Sequence, residues 1–210
     1  MRASPDRQRI IWPLLPLVLS LGLYLRTLAP TITWQHNGYD AGDLITAAYT
    51  LGIPHPTGYP TYTLLGKIFT LLPLGDVAYR MNLLSALCAA LTILLLYQTS
   101  TILLRSQAYT TLAALCASLL LATSRIFWSQ ALITEVYALN CLFFAIILYL
   151  LLKAQLHLSG ELGPVGQMYV FRISALLALT YGLSLGNHLT IIFSLPLLLL
   201  YGICLLYTSD

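Results

Sequence analysis

From Asn82 to Leu104 the chain reads NLLSALCAALTILLLYQTSTILL, a run with no charged residue. A spanning helix needs roughly 20 apolar residues, and a bilayer forces such a run into a helix because the lipid core offers no partner for backbone N–H and C=O groups. Six stretches meet this requirement, at about 10–28, 82–104, 108–124, 132–152, 170–186 and 189–207. Composition agrees: 59% of residues are hydrophobic and 8% charged, against about 45–50% and about 25% in soluble domains. The expected class is all-α, a polytopic integral membrane helical bundle of about six transmembrane helices. Residues 1–210 form a single transmembrane domain in this reading.

The net charge of +3 is too small to imply a nucleic-acid partner, and the basic residues report orientation instead. Arg2, Arg7, Arg9, Arg105, Lys153 and Arg172 fall on one side of the expected spans; Arg26, Lys67, Arg80 and Arg125 fall on the other. The positive-inside rule, led by the N-terminal cluster, predicts a cytoplasmic N-terminus. The first run is longer than a signal-peptide core and has no small-residue cleavage site after it, so it is expected to remain as a helix. Four cysteines, Cys88, Cys116, Cys141 and Cys204, lie in apolar runs without metal or redox spacing and read as packing residues. The chain stops at CLLYTSD directly after an apolar run and reads as the N-terminal part of a larger protein.

In this topology the long first loop, about 29–81, is extracytoplasmic. It contains YDAGDLITAAYTLGIPHPTGYP, with Asp40, Asp43 and His55. Ala41–Leu51 is expected to be a short helix, with Gly52 suited to its C′ position and Pro54 forbidding continuation. Pro54-His55-Pro56 should be extended. Thr61–Leu72 is apolar but too short to span, and is expected at the interface with Lys67 reaching water. Glu135 and His188 fall at the same face of the membrane as the loop. Ionisable groups beside a membrane are costly and tend to be functional.

Each of these residues also has a purely structural reading. Asp40 can cap the short helix and Asp43 can meet its dipole at the third position. His55 can be an exposed ring in a rigid turn. Glu135 can mark a helix start, and His188 a helix end. Trp128, Tyr59, Tyr62 and Tyr137 fit an interfacial aromatic belt. The chain contains no P-loop, dinucleotide fingerprint, zincin motif or nucleophile elbow, so nucleotide-handling chemistry has no support.

DAGDLITAAYTLGIPHPTGYPTYTLL resembles the D-x-G-E-L … LG-x-x-HPPGYPL signature of a protein O-mannosyltransferase-like family of polytopic membrane proteins, formerly a domain of unknown function. The likeness continues through YRMNLLSALCAALTILLLY, WSQALITEVYALN and YGLSLGNHLT, from about Thr33 to Thr190. Asp40 matches the first Asp of the signature. Asp43 stands where the family usually has Glu, and Thr57 replaces the second Pro of HPPGYP.

That family is similar to the GT-C superfamily of membrane glycosyltransferases. The resemblance implies a GT-C-like bundle whose first extracytoplasmic loop carries interfacial helices and the catalytic acid. It implies transfer of a sugar, with mannose a candidate, from a polyprenyl-phosphate carrier to a hydroxyl of a protein, lipid or glycan. Asp40 and Asp43 become the catalytic candidates, one acting as general base. His55, Tyr59, Arg80, Arg125, Glu135 and His188 become candidates for binding substrate or the departing phosphate. No cofactor is certain, and two carboxylates could hold Mg or Mn. A transporter or flippase would place charges near the bilayer midplane, whereas these spans are nearly free of charge. A non-catalytic subunit that binds lipid-linked sugar remains the alternative.

Overall fold

The computed structural model describes residues 5–105, 107–158 and 164–207, all helix and connecting turns. Arg2 lies outside the described residues, as do the side chains of Arg7 and Arg9. Among the described residues nine α-helices run in order: α1 (Pro5–Thr27), α2 (Ala41–Thr50), α3 (Pro60–Thr70), α4 (Val77–Leu103), α5 (Thr110–Thr123), α6 (Arg125–Ala131), α7 (Tyr137–Leu158), α8 (Pro164–Leu185) and α9 (Leu195–Tyr207). Short 3₁₀ turns cover Gln35–Asn37 and Leu189–Ser194.

Among the described residues three helical stretches are long and apolar enough to cross a membrane: Val77–Leu103, Tyr137–Leu156 and Gly166–Leu185. The protein is a membrane-embedded helical protein. The sequence led to six spans, and the difference has physical causes. The stretch expected to cross at 108–124 continues as α5 and α6, bent by 66° at the junction, which gives a fourth candidate span if the bent pair is one. Ser124 adopts an extended backbone there, with φ −64° and ψ 135°, and ends one helix as it starts the next. The outer two candidates contain the shorter apolar helical segments Ile11–Thr27 and Leu189–Cys204. The second is broken by the 3₁₀ turn that precedes α9.

Helix α4 is the centre of the bundle and packs on α1, α5 and α7. Ser85, Ala86, Ala89 and Ala90 are buried along it. Small side chains let neighbouring backbones come close where lipid supplies no hydrophobic drive. Its start is set by Asp76, whose Oδ1 accepts from the Tyr79 backbone N–H at 2.7 Å. The same carboxylate accepts from the Thr31 hydroxyl and so ties down the chain leaving α1.

α2 and α3 have 10 and 11 residues. At 1.5 Å per residue each is roughly 15–17 Å long, about half of the roughly 30 Å hydrocarbon core, so neither crosses it. They pack on each other and on α4. Gly66 permits this approach: a Cβ there would sit 2.6 Å from the Met81 methyl and 2.9 Å from Ala48 Cβ. Leu64, Ile68 and Leu71 form an exposed apolar stripe on the other side of α3. Lys67 donates to the Tyr49 carbonyl and lies 5.3 Å from the centre of the Tyr49 ring.

Candidate active site

The polar residues gather at the end of the bundle where α1 and α8 finish and α4 and α7 begin. Six hydrogen bonds draw that end together. Ala29 N–H donates to Leu132 O at 3.2 Å, and Thr61 N–H donates to Gly186 O at 2.9 Å. Asn187 Nδ2 donates to Val136 O at 3.2 Å. Asn82, buried at the start of α4, donates to the carbonyls of Ala29 and Thr31, and its own oxygen accepts from the Thr134 hydroxyl at 2.7 Å. The loop bearing Glu135 is thereby clamped to α4 and to the end of α8.

Asp40 occupies the N-cap position of α2, but its side chain makes no capping hydrogen bond. The backbone there is near-helical, with φ −89° and ψ −6°, rather than in the extended region that aims a cap side chain at the first turn. The carboxylate therefore remains free to face the site. Asp43, in the first turn, is turned toward His55 instead. One oxygen, Oδ2, accepts from the His55 backbone N–H at 2.8 Å and lies 2.7 Å from His55 Nδ1. These bonds, backbone first and ring second, hold the Asp43 carboxyl below the usual carboxylate range.

A carboxylate beside Nδ1 keeps the proton on that nitrogen and leaves Nε2 facing the other way. His55 Nε2 lies 3.7 Å from Asp40 Oδ2 and 3.2 Å from the Tyr59 hydroxyl. Tyr59 in turn stacks on His188, with ring centres 6.2 Å apart, and the tilted Tyr137 ring has its centre 5.5 Å from that of His188. His188 Nδ1 is engaged by Thr190, from both hydroxyl and backbone N–H. Burial lowers the His188 pKa, which favours the neutral ring. Tyr59 reaches this position because the backbone turns left-handed at φ 42° before Pro60 opens α3.

Glu135 is buried, at 3% exposure. Burial, reinforced by the negative charge of Asp40, raises its pKa to about 7; the Val136 N–H and His55 oppose the shift. The structure therefore brings Asp40, Asp43, His55, Tyr59, Glu135 and His188 into one electrostatic neighbourhood. Arg80 and Arg125 stand elsewhere. The Arg80 guanidinium donates to the carbonyls of Thr70, Leu74 and Gly75 and closes the turn after α3. Arg125 lines a separate cavity with His36, Asn37 and Gln130.

No group of three or more His, Cys, Asp or Glu residues among the described residues forms a metal-ligand set. Sequence reasoning missed Asn82, Asn187 and Tyr137 as parts of this arrangement. Asn82 carried a usable signal: a lone carboxamide at the head of an otherwise apolar run needs internal partners.

Fold and site together define a membrane-embedded helical protein with an acid–histidine–tyrosine cluster on a loop folded against one end of the bundle. The chain belongs to the family described as protein O-mannosyl-transferase TMEM260 N-terminal domain, whose profile matches residues 40–209. It is 38% identical over 170 residues to the mouse protein O-mannosyl-transferase TMEM260, covering 80% of this chain and 22% of the mouse protein. It is 28% identical over 131 residues to the Dictyostelium discoideum protein O-mannosyl-transferase tmem260, covering 61% of this chain and 15% of that protein. The chain thus spans less than a quarter of the length of either relative. No solved structure matches it.

Proposed function

We propose that this chain carries the donor-side catalytic loop of a GT-C-type membrane glycosyltransferase, moving mannose from a polyprenyl-phosphate carrier to a hydroxyl acceptor outside the cytoplasm. The names of the two relatives support the sugar and the hydroxyl acceptor. The observation that carries the mechanism is the uncapped Asp40 carboxylate beside His55, whose other nitrogen is held by Asp43.

In this mechanism Asp40 takes the proton from the acceptor hydroxyl as that oxygen bonds to the anomeric carbon. The bond from the anomeric carbon to the carrier phosphate breaks, and polyprenyl phosphate leaves. General-base help of this kind contributes roughly 100- to 10,000-fold. Asp43 fixes the orientation of the His55 ring, whose Nε2 accepts from the Tyr59 hydroxyl beside Asp40. Thr190 at Nδ1 of His188 leaves its Nε2 as the donor for an oxygen of the sugar or phosphate. Glu135 and Tyr59 line the same neighbourhood and contact the sugar.

The proposed orientation has a cytoplasmic N-terminus, the loop at about 29–81 outside and a multi-pass bundle between. It follows from Arg2, Arg7 and Arg9, which precede the first apolar run. Impermeant labelling of a Thr57→Cys variant in intact cells tests it, and labelling only after permeabilisation overturns it. The activity itself is tested by mannose transfer in membranes holding the full-length protein, compared with its Asp40→Asn form.

A further inference from the structure

A second polar cavity, of about 680 Å³, lies between the Gln35–Asn37 turn and helix α6. His36, Asn37, Arg125, Trp128, Ser129 and Gln130 contribute to its wall. It shares Ile126 and Gln130 with a neighbouring apolar cavity that reaches Tyr137, and neither cavity is lined by Asp40, Asp43 or His55.

The wall has unused hydrogen-bonding capacity of both kinds. Arg125 is exposed and has no acidic partner among the described residues. The side chains of His36 and Asn37 form no hydrogen bond among the described residues. Gln130 Nε2 donates to His36 O at 3.0 Å, while its Oε1 is buried without any donor. An amide flip would set oxygen against oxygen, so the unpaired atom is an acceptor. Ser129 spends its proton on Ile126 O and keeps its lone pairs. Buried or half-buried polar atoms without partners call for an explanation. Trp128 adds a flat apolar surface, pinned by its N–H to Thr27 Oγ1 at 3.1 Å.

A simple anion only accepts: it would serve Arg125 and the N–H donors of His36 and Asn37 but leave the Ser129 and Asn37 oxygens unserved. The open acceptors on Asn37 and Ser129 suit a ligand with hydroxyl donors on the same frame as its acceptors. A pyranose has both, together with a C–H face for an indole. We infer that this cavity is a saccharide-binding subsite for a neutral hexose, set beside the transfer cluster and separate from it. The inference does not depend on the role given to Asp40.

The test uses the full-length protein in nanodiscs and a diazirine-bearing methyl α-mannoside, with crosslinked peptides mapped by mass spectrometry. Labelling is expected at 35–37 or 125–130, to persist in Asp40→Asn, and to fall about tenfold in Arg125→Met, which loses a charged donor. Trp128→Leu is the second variant, and unchanged melting temperatures show that both fold. Displacement by polyprenyl-phosphate mannose assigns the hexose to the donor; displacement by a mannosylated peptide assigns it to an acceptor. Displacement by inorganic phosphate alone makes the cavity an anion site and overturns the inference. So does labelling that is absent from these segments or unaffected by both variants.

Discussion

Asp43 and His55 are joined twice through one carboxylate oxygen, at 2.8 Å to the backbone N–H and 2.7 Å to Nδ1 of the ring. The contact spans from the first turn of α2 to the segment leading into α3. It converts a loop that crosses the bundle end into a fixed platform for Nε2.

Removing that carboxylate should loosen the platform without unfolding the bundle. Asp43→Asn keeps one acceptor but loses the charge, and after solvent screening the loop should lose about 1 kcal/mol of local order. Because the Asp43 pKa is lowered in the fold, its contribution is present above its unfolded pKa and is lost as pH falls through the lower folded one. Hydrogen exchange of the 52–59 amides checks this. Protection in wild type should drop in acid, and Asp43→Asn should show the drop already at neutral pH.

Glu135 gives the opposite sign. Its pKa is raised from 4.5 to about 7, so the folded state holds a proton that the unfolded state releases. Stability falls as pH rises from about 4.5 to about 7 and then levels off, by at most about 3 kcal/mol. Glu135→Gln removes this dependence. Thermal unfolding of both proteins between pH 4.5 and 8 should show the variant gaining on wild type across that window; a pH-independent difference would count against it.

Gly186 lies where α8 meets the first loop. A Cβ there would be 2.5 Å from Thr61 Oγ1 and 3.3 Å from Pro60 Cγ, while Thr61 itself donates from backbone and hydroxyl to Gly186 O and Leu183 O. Gly186→Ala should cost about 1–3 kcal/mol by overpacking and move Tyr59 away from His188. Differential scanning fluorimetry and transfer assays should report both losses together.

Asn82→Leu should destabilise by about 2 kcal/mol, since it strips partners from two carbonyls and the Thr134 hydroxyl. The loop holding Glu135 should become protease-sensitive before the rest of the protein does. Equal sensitivity everywhere would mean that Asn82 serves the bundle alone.

Short helices and their ends were legible in the sequence because local chemistry decides them. The expected Ala41–Leu51 and Thr61–Leu72 appear as Ala41–Thr50 and Pro60–Thr70. The left-handed cap residue is Leu51, at φ 56°, where Gly52 was the expected choice; Gly52 supplies instead the N–H that closes on Ala47 O. The bend at Ser124 was not legible, because no proline or glycine marks it. The placement of Arg80 was hidden too. Its partners are backbone carbonyls, which leave no trace in residue types. The acids and histidines of the cluster were legible as chemistry, but the Asp43–His55 bond depends on how two turns fold back on each other.

The proposed mechanism turns on the Asp40 carboxylate acting as a base. Its side chain makes no capping bond to α2, so Asp40→Asn should express, insert and melt as wild type does. The decisive measurement is the rate of mannose transfer from polyprenyl-phosphate mannose in membranes containing equal amounts of the full-length wild-type and Asp40→Asn proteins. A fall of roughly 100- to 10,000-fold is expected at unchanged stability. Transfer by Asp40→Asn at close to the wild-type rate would contradict it.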